Sequence, residues 1–250
     1  MSKSDVLTIG YSTLTNKISE IKYLDSFANL VVIQNPNHES YSSLPQSIVS
    51  FELSSKGVAK SRNVVIENTK TEYLLFGDDD IEFKEESIDA AIAYLESNKE
   101  ISVLLLQAID QTGTLRKRYP KHAHPLKLTN SAKAATYEMI IRVKDIKNAS
   151  IRFDENFGAG ADNYLGDEYI FIADALRAGL KGQFLPIVVA IHPTDSSGSF
   201  RDTKQDAVIR SRIFTRVFGL WAPVMRFMFI LKPPMKKFGI RNSISFLIGR

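Results

Sequence analysis

Short apolar runs and stretches of helical periodicity alternate through the first hundred residues. Val6 to Ile9 is an apolar run ending at Gly10, and Ile18, Ile21 and Leu24 follow at helical spacing, which predicts a strand and then a helix. Leu30 to Gln34 predicts a second strand, closed by the turn-forming group Asn35-Pro36-Asn37. Ile48 to Glu52 predicts a third, Gly57 opens a predicted helix to Asn68, and Glu72 to Phe76 predicts a fourth strand. Ile88, Ala91, Ile92 and Leu95 share one face of a predicted helix over Glu85 to Ser97, and Ile101 to Leu106 is a fully apolar strand. This alternation predicts an α/β fold: a doubly wound, mostly parallel sheet flanked by helices. Ligands of such sheets bind outside the carboxyl ends of the strands, so Gly10, Asn35 and Asp78 are expected on one rim.

The second half is less regular. Gln111-Thr112-Gly113 predicts a hairpin turn, Leu115 to Lys127 is basic and punctuated by proline, and Tyr137 to Arg142 predicts a strand. A stretch from Phe153 to Gly166 leads into a predicted helix over Asp167 to Ala178. Its Gly158 to Gly166 part reads equally as a connecting loop or an acceptor lid. Gln183 to Ile191 predicts a last strand, ending in His192-Pro193. Beyond Ser196-Ser197-Gly198-Ser199 the pattern turns basic and helical, so residues 1–200 are expected to form a catalytic domain and 201–250 a C-terminal extension.

Composition supports a real core, with 44% hydrophobic residues in 250. The net charge of +4 conceals an asymmetry. Residues 201–250 carry 11 Lys and Arg against Asp202 and Asp206, leaving −5 for the rest. An acidic body with a basic tail is expected to meet an anionic surface through that tail. The absence of cysteine excludes thiolate metal sites and disulfides. No apolar stretch of signal-peptide length follows Met1-Ser2-Lys3, so a cytoplasmic location is expected. Val217 to Leu231 is interrupted by Pro223 and Arg226 and is not expected to span a bilayer.

The densest candidate chemistry is Asp78-Asp79-Asp80, directly after Tyr73-Leu74-Leu75-Phe76-Gly77. In extended backbone Asp78 and Asp80 would point to one side and Asp79 away. Converging carboxylates suit Mg²⁺ or Mn²⁺, ions that also hold substrate phosphates. A metal-dependent enzyme acting on a nucleotide-bearing substrate is therefore expected, against the plainer reading of a solvated turn or helix start.

Gly57-Val58-Ala59-Lys60-Ser61-Arg62-Asn63, the run Tyr73 to Asp80, Phe153-Asp154-Glu155-Asn156-Phe157-Gly158, Gly166-Asp167-Glu168-Tyr169 and the strand ending in His192-Pro193 occur in this order. Together they closely resemble the family 2 glycosyltransferases, whose nucleotide-sugar-binding sheet is of the GT-A type, over roughly residues 5 to 195. The resemblance implies transfer of a sugar from a nucleoside diphosphate donor to an acceptor hydroxyl, with inversion. It implies that Asp80, with Asp78 directly or through water, holds Mn²⁺ or Mg²⁺, and that His192 supplies a further ligand. Asp78 or Asp79 would meet the ribose, while Arg62, Tyr11 and Asn35 would bind the nucleotide. The family's Glu-Asp pair is here Asp167-Glu168, which assigns the base to Glu168 and leaves Asp167 as the alternative. Each residue also has an ordinary reading: dipole-complementing acids for Asp167 and Glu168, a helix-surface charge for Arg62, packing or turn chemistry for Tyr11 and Asn35, and a strand-end histidine for His192.

Phe214, Val217, Phe218, Leu220, Trp221, Met225 and Phe227 to Ile230 are interspersed with Arg210, Arg212, Arg216, Arg226 and Lys232. This mixture suits an anionic membrane surface, or a helical extension packed on the body or on another subunit. The expected role is synthesis of bacterial cell-surface or capsular polysaccharide at the inner face of the cytoplasmic membrane, on a saccharide or polyprenyl-diphosphate-linked acceptor, with no nucleic acid as partner. Arg116-Lys117-Arg118 reads as a wet hairpin or a grip on an acceptor's pyrophosphate. His122 and His124 read as loop residues. The alternatives are a nucleotidyltransferase, for which Gly10-Tyr11-Ser12 lacks a basic phosphate loop, and a noncatalytic sugar-nucleotide-binding relative.

Overall fold

The computed structural model describes residues 2–193, 203–231 and 239–249. The expected domain boundary at 200/201, the Ser196 to Ser199 stretch and Lys232 lie outside the described residues. After a short helix α1 (Lys3–Val6), strands β1 (Leu7–Leu14), β2 (Ala28–Gln34), β3 (Val49–Leu53) and β4 (Tyr73–Asp78) pair in parallel in the order β3-β2-β1-β4. Helix α2 (Val58–Asn68) crosses between β3 and β4, and α3 (Glu85–Ser97) follows the two-residue β5 (Glu82–Phe83). β6 (Ile101–Ile109) pairs in parallel with β9 (Lys181–Ile191), and β8 (Met139–Arg142) joins the halves antiparallel to both β4 and β6. β7 (His124–Pro125) and β5 both add antiparallel to β9.

The two sheet faces bury separate apolar layers. Ile9, Tyr11, Ile33, Leu75 and Leu104 pack toward α3, and Val32, Leu74, Phe76, Val103 and Ile141 pack toward α2 and α5 (Asp167–Arg177). The period-two alternation of strand side chains produces this division. The short α4 (Val143–Asn148) covers the lower edge of the second face.

The extension folds as α6 (Lys204–Phe218), α7 (Ala222–Ile230) and α8 (Gly239–Ile248). Ile209, Ile213 and Val217 of α6 bury against Phe157, Tyr169, Ile170 and Ala173. Its arginines are largely committed: Arg216 binds Asp154 (2.9 Å) and Asp174 (2.6 Å), Arg212 binds Asn163 (2.9 Å), Arg210 binds Asp206 (2.7 Å), and Arg226 donates to the Ser211 and Leu247 carbonyls. α6 thus follows the expectation of a helical extension packed on the body: its apolar face is buried there, and Arg212 and Arg216 bind Asn163, Asp154 and Asp174. Phe214 and Val217 are buried too, whereas Leu220, Trp221, Phe227 and Met228 are exposed, as are Ile240, Ile244 and Ile248 on α8. The helical run Lys204–Ile230 is long and apolar enough, by length and composition, to cross a bilayer, but its α6 half is spent on the body.

Candidate active site

β1 continues four residues beyond Gly10, because Tyr11 to Leu14 pair with Val31 to Gln34 on one side and Tyr11 and Ser12 with Gly77 and Asp78 on the other. The rim of the site therefore lies at Ser12, Thr13 and Asp78. Tyr11 sits one level below it, fully buried, edge-on to Tyr23 with centroids 5.5 Å apart. Its expected nucleotide contact is corrected, since a core ring offers no face to a ligand. Asn35 is corrected on similar grounds. Its amide donates to the Glu39 carbonyl (3.0 Å) and to Glu52 (3.1 Å) and accepts from the Glu39 N–H (2.8 Å), so it shapes the turn after β2.

The three aspartates diverge. Asp78 is the last residue of β4, and Asp79 and Asp80 form a turn, so strand alternation does not carry through to Asp80. Asp78 Oδ1 accepts from Arg62 Nη2 (3.3 Å). Asp79 Oδ2 accepts from the Thr13 hydroxyl (3.0 Å), with Lys17 3.8 Å from its other oxygen. Burial pushes the Asp79 carboxyl up, to about 6, against the lowering effects of Thr13 and Lys17. Asp80 Oδ1 faces His192 Nε2 at 3.9 Å. Asp80 and His192, both expected as metal ligands, thus face one another, while Asp78 is held by Arg62.

The pair suits a hard divalent ion in its chemistry. His192 Nδ1 lies 2.6 Å from the Pro193 carbonyl oxygen, which can only accept, so Nδ1 carries the proton and the Nε2 lone pair of the neutral ring is turned toward Asp80. Two lone-pair donors facing one another leave a place for a cation, with substrate oxygens and water to complete the shell. Among the described residues no group of three or more His, Asp and Glu is clustered for a metal. Tyr137 packs against the His192 ring at 4.8 Å and fixes its orientation.

Arg62 joins the two halves of the site. It is buried on α2, donates to Asp167 Oδ2 (2.5 Å) and Asp78, and lies 3.8 Å from Glu168 Oε1. Burial opposes its charge, but the three carboxylates outweigh that and raise its pKa. Its neighbour Asn63 forms a two-way clamp with the Phe153 backbone (3.0 and 2.8 Å), so the helix motif and the Phe153 to Gly158 motif meet through adjacent side chains. Gly158, at φ +96, lets that loop run against Asp167: a Cβ there would lie 2.8 Å from the carboxyl carbon.

Asp167 and Glu168 open α5 after Gly166, where the helix dipole favours negative charge. They are not equivalent. Asp167 is inside, its side chain 4% exposed and bound to Arg62, whereas Glu168 retains 23% and reaches Thr136 Oγ1 at 3.5 Å. Desolvation, then the Asp167 charge, pushes the Glu168 carboxyl above the ordinary range, and Arg62 only partly offsets this. An ionisable group of that kind at a rim is suited to take a proton near neutral pH.

Two cavities open on the surface around the sheet. One of about 410 Å³ lies beyond β1 and β2, between Thr15, Asn16, Tyr23, Glu39, Tyr41 and Ser42. The other, of about 340 Å³, lies over β6 and β9 beside the basic loop. Thr13, Lys17, Glu39 and Thr136 were not anticipated. A hydroxyl or charge just past an apolar run is the one signal that could have drawn attention to the first two.

The family described as Glycosyl transferase family 2 matches residues 37–158. No curated protein matches. Among solved structures, S. aureus TarS 1–349 aligns with a TM-score of 0.58 at 15% identity over 96% of this chain and 72% of its own. The same protein in complex with UDP-GlcNAc gives 0.58 at 14% over 97% and 81%. In complex with UDP it gives 0.55 at 15% over 86% and 66%. At these identities the likeness speaks for the fold, which is GT-A. Taken with the family match over residues 37–158, it makes this chain similar to the family 2 glycosyltransferases in sequence and in fold.

Proposed function

We propose that the chain is a metal-dependent, inverting transferase that moves a sugar from a nucleoside diphosphate donor to an acceptor hydroxyl in bacterial surface-polysaccharide synthesis. The observation that carries this reading is Arg62, which ties Asp78 at the donor rim to Asp167 and Glu168 at the start of α5. The nucleoside is assigned to the cavity between Thr15, Tyr23, Glu39 and Tyr41, at the crevice outside β1 and β2. The TarS structures holding UDP-GlcNAc and UDP support a UDP-type donor. Asp80 and His192 would hold Mg²⁺ or Mn²⁺, which when bound would neutralise charge on the departing diphosphate. Asp78 and Asp79, fixed by Arg62 and Thr13, shape the donor side. Glu168 takes the acceptor proton on the opposite face, with Thr136 orienting the carboxylate and Asp167 holding Arg62 in place.

The body meets the cytoplasmic leaflet through the exposed faces of α7 and α8, in this reading. Leu220, Trp221, Phe227, Met228, Ile240 and Ile244 are exposed, and residues 207–250 contain no acid. An apolar patch in an acid-free basic segment matches an anionic bilayer in both respects. Calorimetry with UDP, GDP and dTDP in the presence and absence of Mn²⁺ tests the donor assignment. Binding of UDP enhanced by Mn²⁺ is expected, and failure of all three nucleotides to bind would overturn it.

A further inference from the structure

The 340 Å³ cavity has a construction that the donor chemistry does not use. Its floor is apolar and aromatic: Leu105 from β6, Phe184 from β9, Leu126 and Tyr119, with the Tyr119 and Phe184 rings stacked at 6.4 Å. Its rim is cationic, with Lys117, Arg118 and Lys133. Residues 111–137 contain six Lys and Arg and no Asp or Glu, within a body that is acidic overall. Lys117 is neutralised by Glu138 (2.8 Å), a carboxylate that also accepts from the Tyr119 hydroxyl. Arg118 and Lys133 are exposed and have no acidic partner among the described residues, so the rim keeps an excess of positive charge.

The segments that line the cavity also lead to the proposed base. Between the lining residues Ala134 and Glu138 stands Thr136, whose hydroxyl is 3.5 Å from Glu168, and Leu128, between Leu126 and Asn130, accepts from the Tyr169 hydroxyl next to Glu168. Glu138, in the cavity lining, is two residues from Thr136, a chain span of at most about 7 Å. A group seated here belongs to a molecule whose next atoms can reach Glu168.

We infer that this cavity is the acceptor subsite and that it recognises a phosphate or diphosphate carried by the acceptor, held by Arg118 and Lys133, with the adjoining carbon skeleton against Tyr119, Leu126 and Phe184. The inference rests on the transferase reading above and supplies the substrate class of its acceptor side. Guanidinium and ammonium groups at a rim are the usual means of holding such oxyanions.

The test is calorimetric titration of the full chain, with UDP saturating the donor side, using farnesyl diphosphate and a glycerol phosphate oligomer as probes and farnesol and glycerol as uncharged controls. At least one phosphate probe is expected to bind while its control does not, and R118E/K133E is expected to weaken it by about tenfold or more. K121E/K127E, in the same loop but with neither residue lining the cavity, is expected to change it much less. Preference for farnesyl diphosphate would assign a lipid-linked acceptor, and preference for the oligomer a phosphodiester polymer. Equal binding of probes and controls, or an R118E/K133E variant that binds like the parent, would overturn the inference. UDP affinity measured in the same variants stays unchanged in either case, so loss of the donor reading would be seen separately.

Discussion

Arg62 and Asp167 lie 105 residues apart in sequence and meet at 2.5 Å in the interior, with side chains 6% and 4% exposed. A buried charge pair is costly to make and costlier to break, because removing one partner leaves the other unpaired in a medium that solvates it poorly. Arg62→Met is therefore expected to destabilise the fold by about 3–5 kcal/mol. Arg62→Met with Asp167→Leu should lose less than the single change, and equal losses in chemical denaturation would contradict the pairing.

Glu168, as the proposed base, is expected to govern the pH profile. Its raised pKa means that the ionised base is scarce at acid pH and accumulates as pH rises through that pKa. The acid limb of kcat/KM should therefore lie well above the ordinary glutamate value of about 4.3. Glu168→Gln should lower kcat by about 10²–10⁴ and abolish that limb, with UDP affinity kept. An active Gln variant with an unaltered profile would return the role to Asp167.

Asp80 and His192 are expected to act together. His192→Ala and Asp80→Asn should each weaken Mn²⁺ binding by about tenfold or more, read by electron paramagnetic resonance titration, and EDTA should stop turnover. Unchanged Mn²⁺ affinity in both variants would remove the ion from this pair.

Gly158→Ala should be harmful out of proportion to one methyl group. The residue has φ +96, and the added carbon would press on the Asp167 carboxyl. The backbone strain alone is about 1–2 kcal/mol, and a displaced Asp167 should also lower kcat. Thermal unfolding and steady-state kinetics on one sample would show both, and a neutral variant would indicate that the loop can shift freely.

The proposed membrane attachment is expected to separate from packing of the extension. Trp221→Glu with Phe227→Glu should reduce cosedimentation with phosphatidylglycerol vesicles while leaving the unfolding temperature intact, since both side chains are exposed. Arg216→Ala should do the reverse, with a stability loss of at most about 1 kcal/mol for a half-exposed bridge. Vesicle binding insensitive to the first variant, or loss of self-association in its place, would assign the apolar face to another protein surface. Deleting the whole extension is a poorer test because it uncovers Ile170 and Ala173, which are fully buried beneath α6.

The alternation of apolar strands with amphipathic helices determined the layered fold, since a strand buried on both faces and a helix buried on one leave different marks in the chain. The aspartate triplet, Arg62, the Asp167-Glu168 pair and His192 were likewise legible, because their motifs recur in order. Where β1 stops was not, since Ser12 and Thr13 look like a loop and are buried by strands 20 and 66 residues away. The separate partners of Asp78, Asp79 and Asp80, the burial of Arg62 and the capture of Arg216 by Asp154 and Asp174 were decided only by tertiary structure. A charge written in a sequence carries no record of its partner, and long-range packing alone chooses between water, an ion and another side chain.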